Sequence, residues 1–173
     1  MDEHRVGLQP TTQRCWSPVG QRPIERVNPG YKWCYVWAWV HPASGQLEVW
    51  LSKQVNTQMH NAMLAQVAKA VGAGPNKRVI LVLDGAGWHT SKSLEVPQGI
   101  ELFFLPASTP ELQPAEKLWS LFDEGLIGLA ASEIEQVEQV LNQRSLYLFD
   151  HPDIVQGRTL FHWWPDQPLD RSN

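Results

Sequence analysis

Val79-Ile80-Leu81-Val82-Leu83-Asp84-Gly85-Ala86-Gly87-Trp88-His89 sets five apolar residues directly against an aspartate and a glycine-broken loop. A run without alternation suits a strand covered on both faces, the centre of an α/β sheet. Gly85 and Gly87 interrupt the strand, so Asp84 is placed at its carboxyl edge, where open α/β sheets bind ligands. A second apolar run, Leu102-Phe103-Phe104-Leu105, leads into Pro106-Ala107-Ser108-Thr109-Pro110-Glu111-Leu112-Gln113-Pro114-Ala115-Glu116-Lys117-Leu118-Trp119. Pro114 has the φ suited to a first helical turn, and Glu116 falls where a helix start favours a carboxylate. One carboxylate thus comes from a strand end and the other from a helix start.

Converging carboxylates repel, and either a shared proton or a divalent cation relieves the repulsion. Magnesium is held by one or two carboxylates together with water and substrate phosphates. Two such ions about 3.5–4 Å apart hold the attacking and leaving oxygens of a phosphodiester displacement. An aspartate after a strand and a glutamate in a first helical turn are also ordinary structural features, so the spacing alone leaves the metal reading open.

The wording of these segments goes further. Asp84-x-x-x-x-His89 and Leu105-Pro-x-x-x-Pro110-Glu-Leu-x-Pro114-x-Glu116-Lys-Leu-Trp119 resemble the DDE endonuclease domain of insertion-sequence transposases in the mariner-related superfamily. Met1-Asp2-Glu3-His4-Arg5-Val6-Gly7-Leu8 resembles the segment with that family's first catalytic aspartate. Trp16-Ser-Pro-Val-Gly20-Gln-Arg-Pro23 and Pro42-Ala-Ser-Gly45 resemble further landmarks, so the likeness spans most of residues 2 to 124. It implies a catalytic, metal-binding triad of Asp2, Asp84 and Glu116, with two Mg²⁺ ions that Mn²⁺ can replace. It implies DNA as partner, both transposon ends and target, and a homodimer in the active complex. The chain departs from the pattern at Gly85 and Gln113, where the family has asparagine, and at Ala115, where it has isoleucine. The family also places a strand before the first aspartate and helix-turn-helix domains before that strand. The expected fold is therefore an α/β, ribonuclease H-like mixed sheet flanked by helices, its first strand truncated at the N-terminus.

Composition bounds the partners. The 173 residues suit one domain with a sizeable core. Lysine and arginine number 14 against 18 aspartates and glutamates, a formal charge of −4. Nucleic-acid binders usually carry a basic surplus, which argues against tight DNA binding by this chain alone. Bound cations can reverse the field locally. Arg5, Arg14, Arg22, Arg26 and Lys32 make the first portion relatively basic, as phosphate contacts or as solvated surface charge. Cys15 and Cys34 form no C-x-x-C pair and read as thiols of a reducing, cytoplasmic compartment. No apolar run reaches the roughly 18 residues of a membrane span.

Along the chain, residues 10–23 read as loop, with Trp16 as an anchor over the core. Tyr31 to Val40 reads as a long aromatic strand placing Trp33, Tyr35, Trp37 and Trp39 on one face. Pro42-Ala-Ser-Gly45 turns it into a hairpin with Gln46–Ser52. Asn56 or Thr57 caps a helix whose apolar stripe is Met59, Met63, Leu64, Val67 and Val71, with His60 read as surface. His89 is placed either against a phosphate or metal-bound water, or as a helix cap. Ser132 with Glu135 resembles a capping box for a last amphipathic helix with an acidic outer face. The domain is set at 1–150 and an irregular C-terminal tail at 151–173.

Two functions compete. One is a transposase catalytic domain performing metal-dependent DNA cleavage and strand transfer, impaired by its shortened front; about 8–10 residues ahead of Met1 would then raise stability and metal affinity together. The alternative is an inactive remnant serving only as a folded binding or assembly module. A hydrolase built on Asp84 and His89 lacks a Gly-x-Ser-x-Gly elbow or a reactive cysteine motif.

Overall fold

The computed structural model describes residues 1–9, 16–24 and 30–164. Arg14, Cys15 and Arg26 lie outside the described residues. Three strands, β1 (Asp2–Gly7), β2 (Trp33–His41) and β3 (Gln46–Ser52), form an antiparallel sheet in the order β1-β2-β3. Asp2 pairs with Ala38 and Gly7 with Trp33, while His41 pairs with Gln46 across the hairpin turn. Gly45 closes that turn at φ +70, and a Cβ there would run into the Pro152 backbone. Strands β4 (Val79–Leu83) and β5 (Ile100–Phe104) pair in parallel. The two pieces adjoin at the chain start, where the Met1 ammonium donates to the Val82 carbonyl at 2.7 Å. The result is the expected α/β class, carried by two small sheets, one antiparallel and one parallel, and not by one continuous mixed sheet.

Helices cover both faces of the β1–β3 sheet. α1 (Thr57–Ala70) starts at Asn56, whose side chain accepts from the Met59 N–H at 2.8 Å. Met63, Leu64 and Val67 of α1 pack with Trp37, Trp39, Leu81 and Leu83. On the opposite face, Val6, Cys34, Val36 and Ala38 pack against α2 (Trp119–Asp123), α3 (Ile134–Asp150) and α4 (Pro152–Thr159). Strand β2 therefore buries both of its faces, the aromatic one under α1 and the small aliphatic one under the later helices. Burial of such side chains contributes roughly 1.5–3 kcal/mol each.

Several sequence expectations are corrected. β4 is covered on one face only: Leu81 and Leu83 are buried, but Ile80 is 66% exposed. Trp16 is no core anchor, since it is fully exposed. The capping box at α3 is Glu133 with Gln136, one residue beyond the expected pair, which turns Ile134 and Val137 into the core. The segment expected to be an irregular tail from 151 forms α4 over 152–159, seated through the fully buried Val155.

A groove of about 600 Å³ lies between the two pieces of sheet. Trp39, Val40 and His41 of β2 form one wall, Val79 to Val82 of β4 the other, and Met1 closes one end.

Candidate active site

Asp2 opens β1, Asp84 follows the last residue of β4, and Glu116 lies in the 3-10 helix Pro114–Leu118 that leads into α2. All three line one cleft of about 360 Å³, bounded by Gly85, Ala86 and the loop from Leu105 to Pro110. Among the described residues, no lysine or arginine lines it. The structure thus places the three acids along one cleft. Among the described residues, however, no three His, Cys, Asp or Glu side chains are gathered closely enough to hold one ion.

Each acid is held differently. Asp2 is partly buried, and its oxygens accept from Trp119 Nε1 at 2.8 Å and from the Glu3 N–H at 2.9 Å. Burial pushes its carboxyl up to about 6; the Trp119 bond pulls it down and the Glu116 charge pushes it up again. Glu116 is exposed, and its N–H bonds the Gln113 carbonyl at 3.2 Å. The buried Gln113 amide donates to the Met1 carbonyl at 2.8 Å. This longer amide, a departure from the family pattern, ties the Glu116 loop to the start of β1. Asp84 has a side chain 60% exposed, and its Oδ1 accepts from the Ala86 N–H at 3.1 Å and from His89 Nδ1 at 2.8 Å.

Carboxylate oxygens from three elements, the ligand type of a hard divalent cation, line a cleft that no lysine or arginine among the described residues enters, without gathering around one point.

His89 does not stand where the sequence placed it. It is buried, with Nδ1 on Asp84 and Nε2 on Glu3 Oε1 at 2.9 Å, so neither nitrogen is left for a phosphate. Burial disfavours its charged form, but the two carboxylates on its nitrogens outweigh this and raise the ring above the usual histidine value. Arg5 is exposed and lies over the Trp33 ring at 5.4 Å, and Arg22 is exposed on the 16–24 segment; neither lines the cleft. His60, read as surface, is wholly buried, with its ring 4.7 Å from that of His89 and 5.9 Å from that of Trp37. Sequence reasoning also missed Glu3, Gln113 and Trp119 as supports of the site. The signal for Glu3 was the period of two: it faces opposite to Asp2, toward the side of the sheet that α1 covers.

Comparisons with known proteins agree with this architecture. The family model described as DDE superfamily endonuclease matches residues 1–140. The uncharacterized protein y4pE/y4sA of Sinorhizobium fredii (strain NBRC 101917 / NGR234) is 36% identical over 87 residues, 50% of this chain and 63% of that protein. A pre-cleavage Mos1 transpososome superposes at a TM-score of 0.62, with 16% identity over 91% of this chain and 52% of the Mos1 chain. The Mos1 mariner paired-end complex with Mn gives 0.59 and 17% identity, covering 92% and 52%. The chain thus spans about half the length of the Mos1 chains and under two thirds of y4pE/y4sA. At such identities the Mos1 likeness establishes the ribonuclease H-like fold, while the family match covers most of the sequence: the chain belongs to the DDE superfamily of endonucleases.

Proposed function

We propose that this domain is the catalytic part of a transposase, cutting DNA strands and joining the freed ends to a target with the help of divalent cations. One observation carries the reading: Asp2, Asp84 and Glu116, delivered by a strand start, a strand end and a 3-10 helix, line a single cleft that no lysine or arginine among the described residues enters. Asp2, Asp84 and Glu116 would hold Mg²⁺ or Mn²⁺, two ions in the full site. Such ions supply charge neutralisation and activation of the attacking oxygen in phosphodiester displacement. The chain's own residues fix where that happens. Trp119 and the Glu3 amide orient Asp2, and Gln113 holds the Glu116 loop against β1. The Leu105–Pro110 loop walls the side of the cleft opposite the Asp84 turn. DNA, as transposon ends and target, is the substrate, and a homodimer is the unit that pairs two ends. The Mos1 complexes, one with a left transposon end and others with Mn or Mg, support this reading by kinship of fold.

The competing reading, a folded assembly module without chemistry, is favoured by the ungathered carboxylates. Nicking of supercoiled plasmid carrying the element ends separates the two. Mg²⁺- or Mn²⁺-dependent nicking that disappears in Asp84→Asn, with unchanged circular dichroism, supports the transposase. Metal-independent nicking, or equal rates in the parent and Asp84→Asn, overturns it.

A further inference from the structure

Asp84 poses a problem of orientation. Its side chain is mostly exposed, it ends a strand, and Gly85 and Gly87 follow in a loop that glycine leaves free to move. A metal ligand in that place requires something to fix its rotamer. Two donors reach it, and both use Oδ1: the Ala86 N–H and His89 Nδ1. Oδ2 is left without a protein donor among the described residues.

The His89 donor arrives from the interior. Its side chain is 0% exposed, and its other nitrogen meets Glu3, whose side chain is 7% exposed. Glu3 Oε1 also accepts from Trp88 Nε1 at 3.3 Å. The ring planes of Trp88 and His60 meet the imidazole edge-on from two directions, at centroid separations of 5.8 and 4.7 Å. Rotation of the imidazole would break a bond at each end and collide with a ring. A carboxylate oxygen accepts, so the imidazolium form of His89 donates to Glu3 from Nε2 and to Asp84 from Nδ1.

We propose that His89 is a positioning residue for Asp84: the buried chain Glu3–His89–Asp84 locks the Asp84 carboxylate through Oδ1 and leaves Oδ2 to the cation. Its purpose rests on the metal-site reading above; its geometry does not. Supports of this kind behind a metal ligand typically account for 10–100-fold in metal affinity.

Two substitutions divide the imidazole. Asn places an amide near the Nδ1 position, so His89→Asn keeps the donor to Asp84 and strands Glu3. Gln places one near the Nε2 position, so His89→Gln keeps the donor to Glu3 and releases Asp84. Mn²⁺ affinity is measured by electron paramagnetic resonance and fold stability by thermal melting. His89→Gln is expected to melt near the parent temperature yet bind Mn²⁺ about 10–100-fold more weakly. His89→Asn is expected to melt lower while keeping affinity close to the parent value. A purely structural role would make affinity follow melting temperature in both variants, and that result overturns the proposal. In the metal-free protein, the His89 Nδ1–H resonance should shift in Asp84→Ala, a substitution at an exposed side chain. An unmoved resonance overturns the proposal regardless of metal. A parent that takes up no Mn²⁺ but shows the shifted resonance sinks the metal-site reading and leaves the clamp standing.

Discussion

His60 makes a measurable liability of the core. Its ring is wholly buried on α1, and among the described residues neither nitrogen has a hydrogen-bond partner of good geometry. Burial, with the neighbouring His89 charge, lowers it from the ordinary 6.5 to about 4, although the Trp88 backbone nearby pulls the other way. The unfolded chain takes up this proton near pH 6.5 and the folded chain only near pH 4. Between those values the unfolded state binds more protons, so stability present above pH 6.5 is lost as pH falls toward 4. At about 1.4 kcal/mol per pH unit the full effect is at most roughly 3 kcal/mol. His60→Leu removes both unpaired nitrogens in a similar volume. At pH 7.5 it should be stabilising by about 1 kcal/mol, the relief of stranded polar atoms less the lost contacts with Trp37 and His89. At pH 4.5 its advantage should grow by about 2 kcal/mol, because the variant lacks the titrating ring. Urea unfolding followed by tryptophan fluorescence at both pH values reads the two gaps, with equal m-values as the check on two-state behaviour. A constant gap between variant and parent at the two pH values would refute the assignment of acid sensitivity to His60.

Two further substitutions and one extension of the chain test the supports of the fold and site. Trp119→Phe removes the indole donor from Asp2, at a cost of about 1.5–3 kcal/mol for a bond to a charged group; Mn²⁺ titration should show weaker binding at pH 6 than the parent, and equal binding would count against it. Gly45→Ala forces a Cβ into the Pro152 backbone at positive φ, so it should destabilise by more than about 2 kcal/mol in urea unfolding and expose the α4 contact to proteolysis. Four β-branched residues placed ahead of Met1 should enter the groove between β2 and β4 and replace the buried ammonium, lowered to about 6 by desolvation, with an ordinary peptide N–H; the melting temperature should rise by several degrees, and an unchanged one would show that the groove does not accept a strand.

The parts legible in the sequence were those written in local pattern. The apolar run into Asp84 gave a strand with that aspartate at its carboxyl edge. The aromatic Tyr31–Val40 segment and Pro42-Ala-Ser-Gly45 gave the β2–β3 hairpin, and Asn56 gave the start of α1. Pattern failed where coverage depends on distant chain. Nothing within Val79–Leu83 tells that Ile80 would be left open while Leu81 and Leu83 are covered by α1, and nothing near Pro152 tells that Val155 would reach the core. Trp16 was misplaced for the same reason: a large aromatic side chain in a loop states its hydrophobicity but not its neighbour.

The site divides along the same line. The three cleft carboxylates were found because each stands at a recognisable place in an element and because the resemblance set their order. Their supports have no such signature. Glu3 reads as one more terminal charge until β1 pairs with β2 and turns it toward α1, where His89 meets it. His60 reads as polar surface until the same packing seals it against that ring. His89 itself was noticed at the right distance from Asp84 and given the wrong direction, because spacing fixes how far a side chain lies along the chain and not whether it faces solvent or core. A cleft of ligands can therefore be legible while the structure that aims them is not. That structure is assembled from residues whose chemistry becomes specific only on burial, where an unpaired nitrogen or a misdirected carboxylate carries a cost it never had in water.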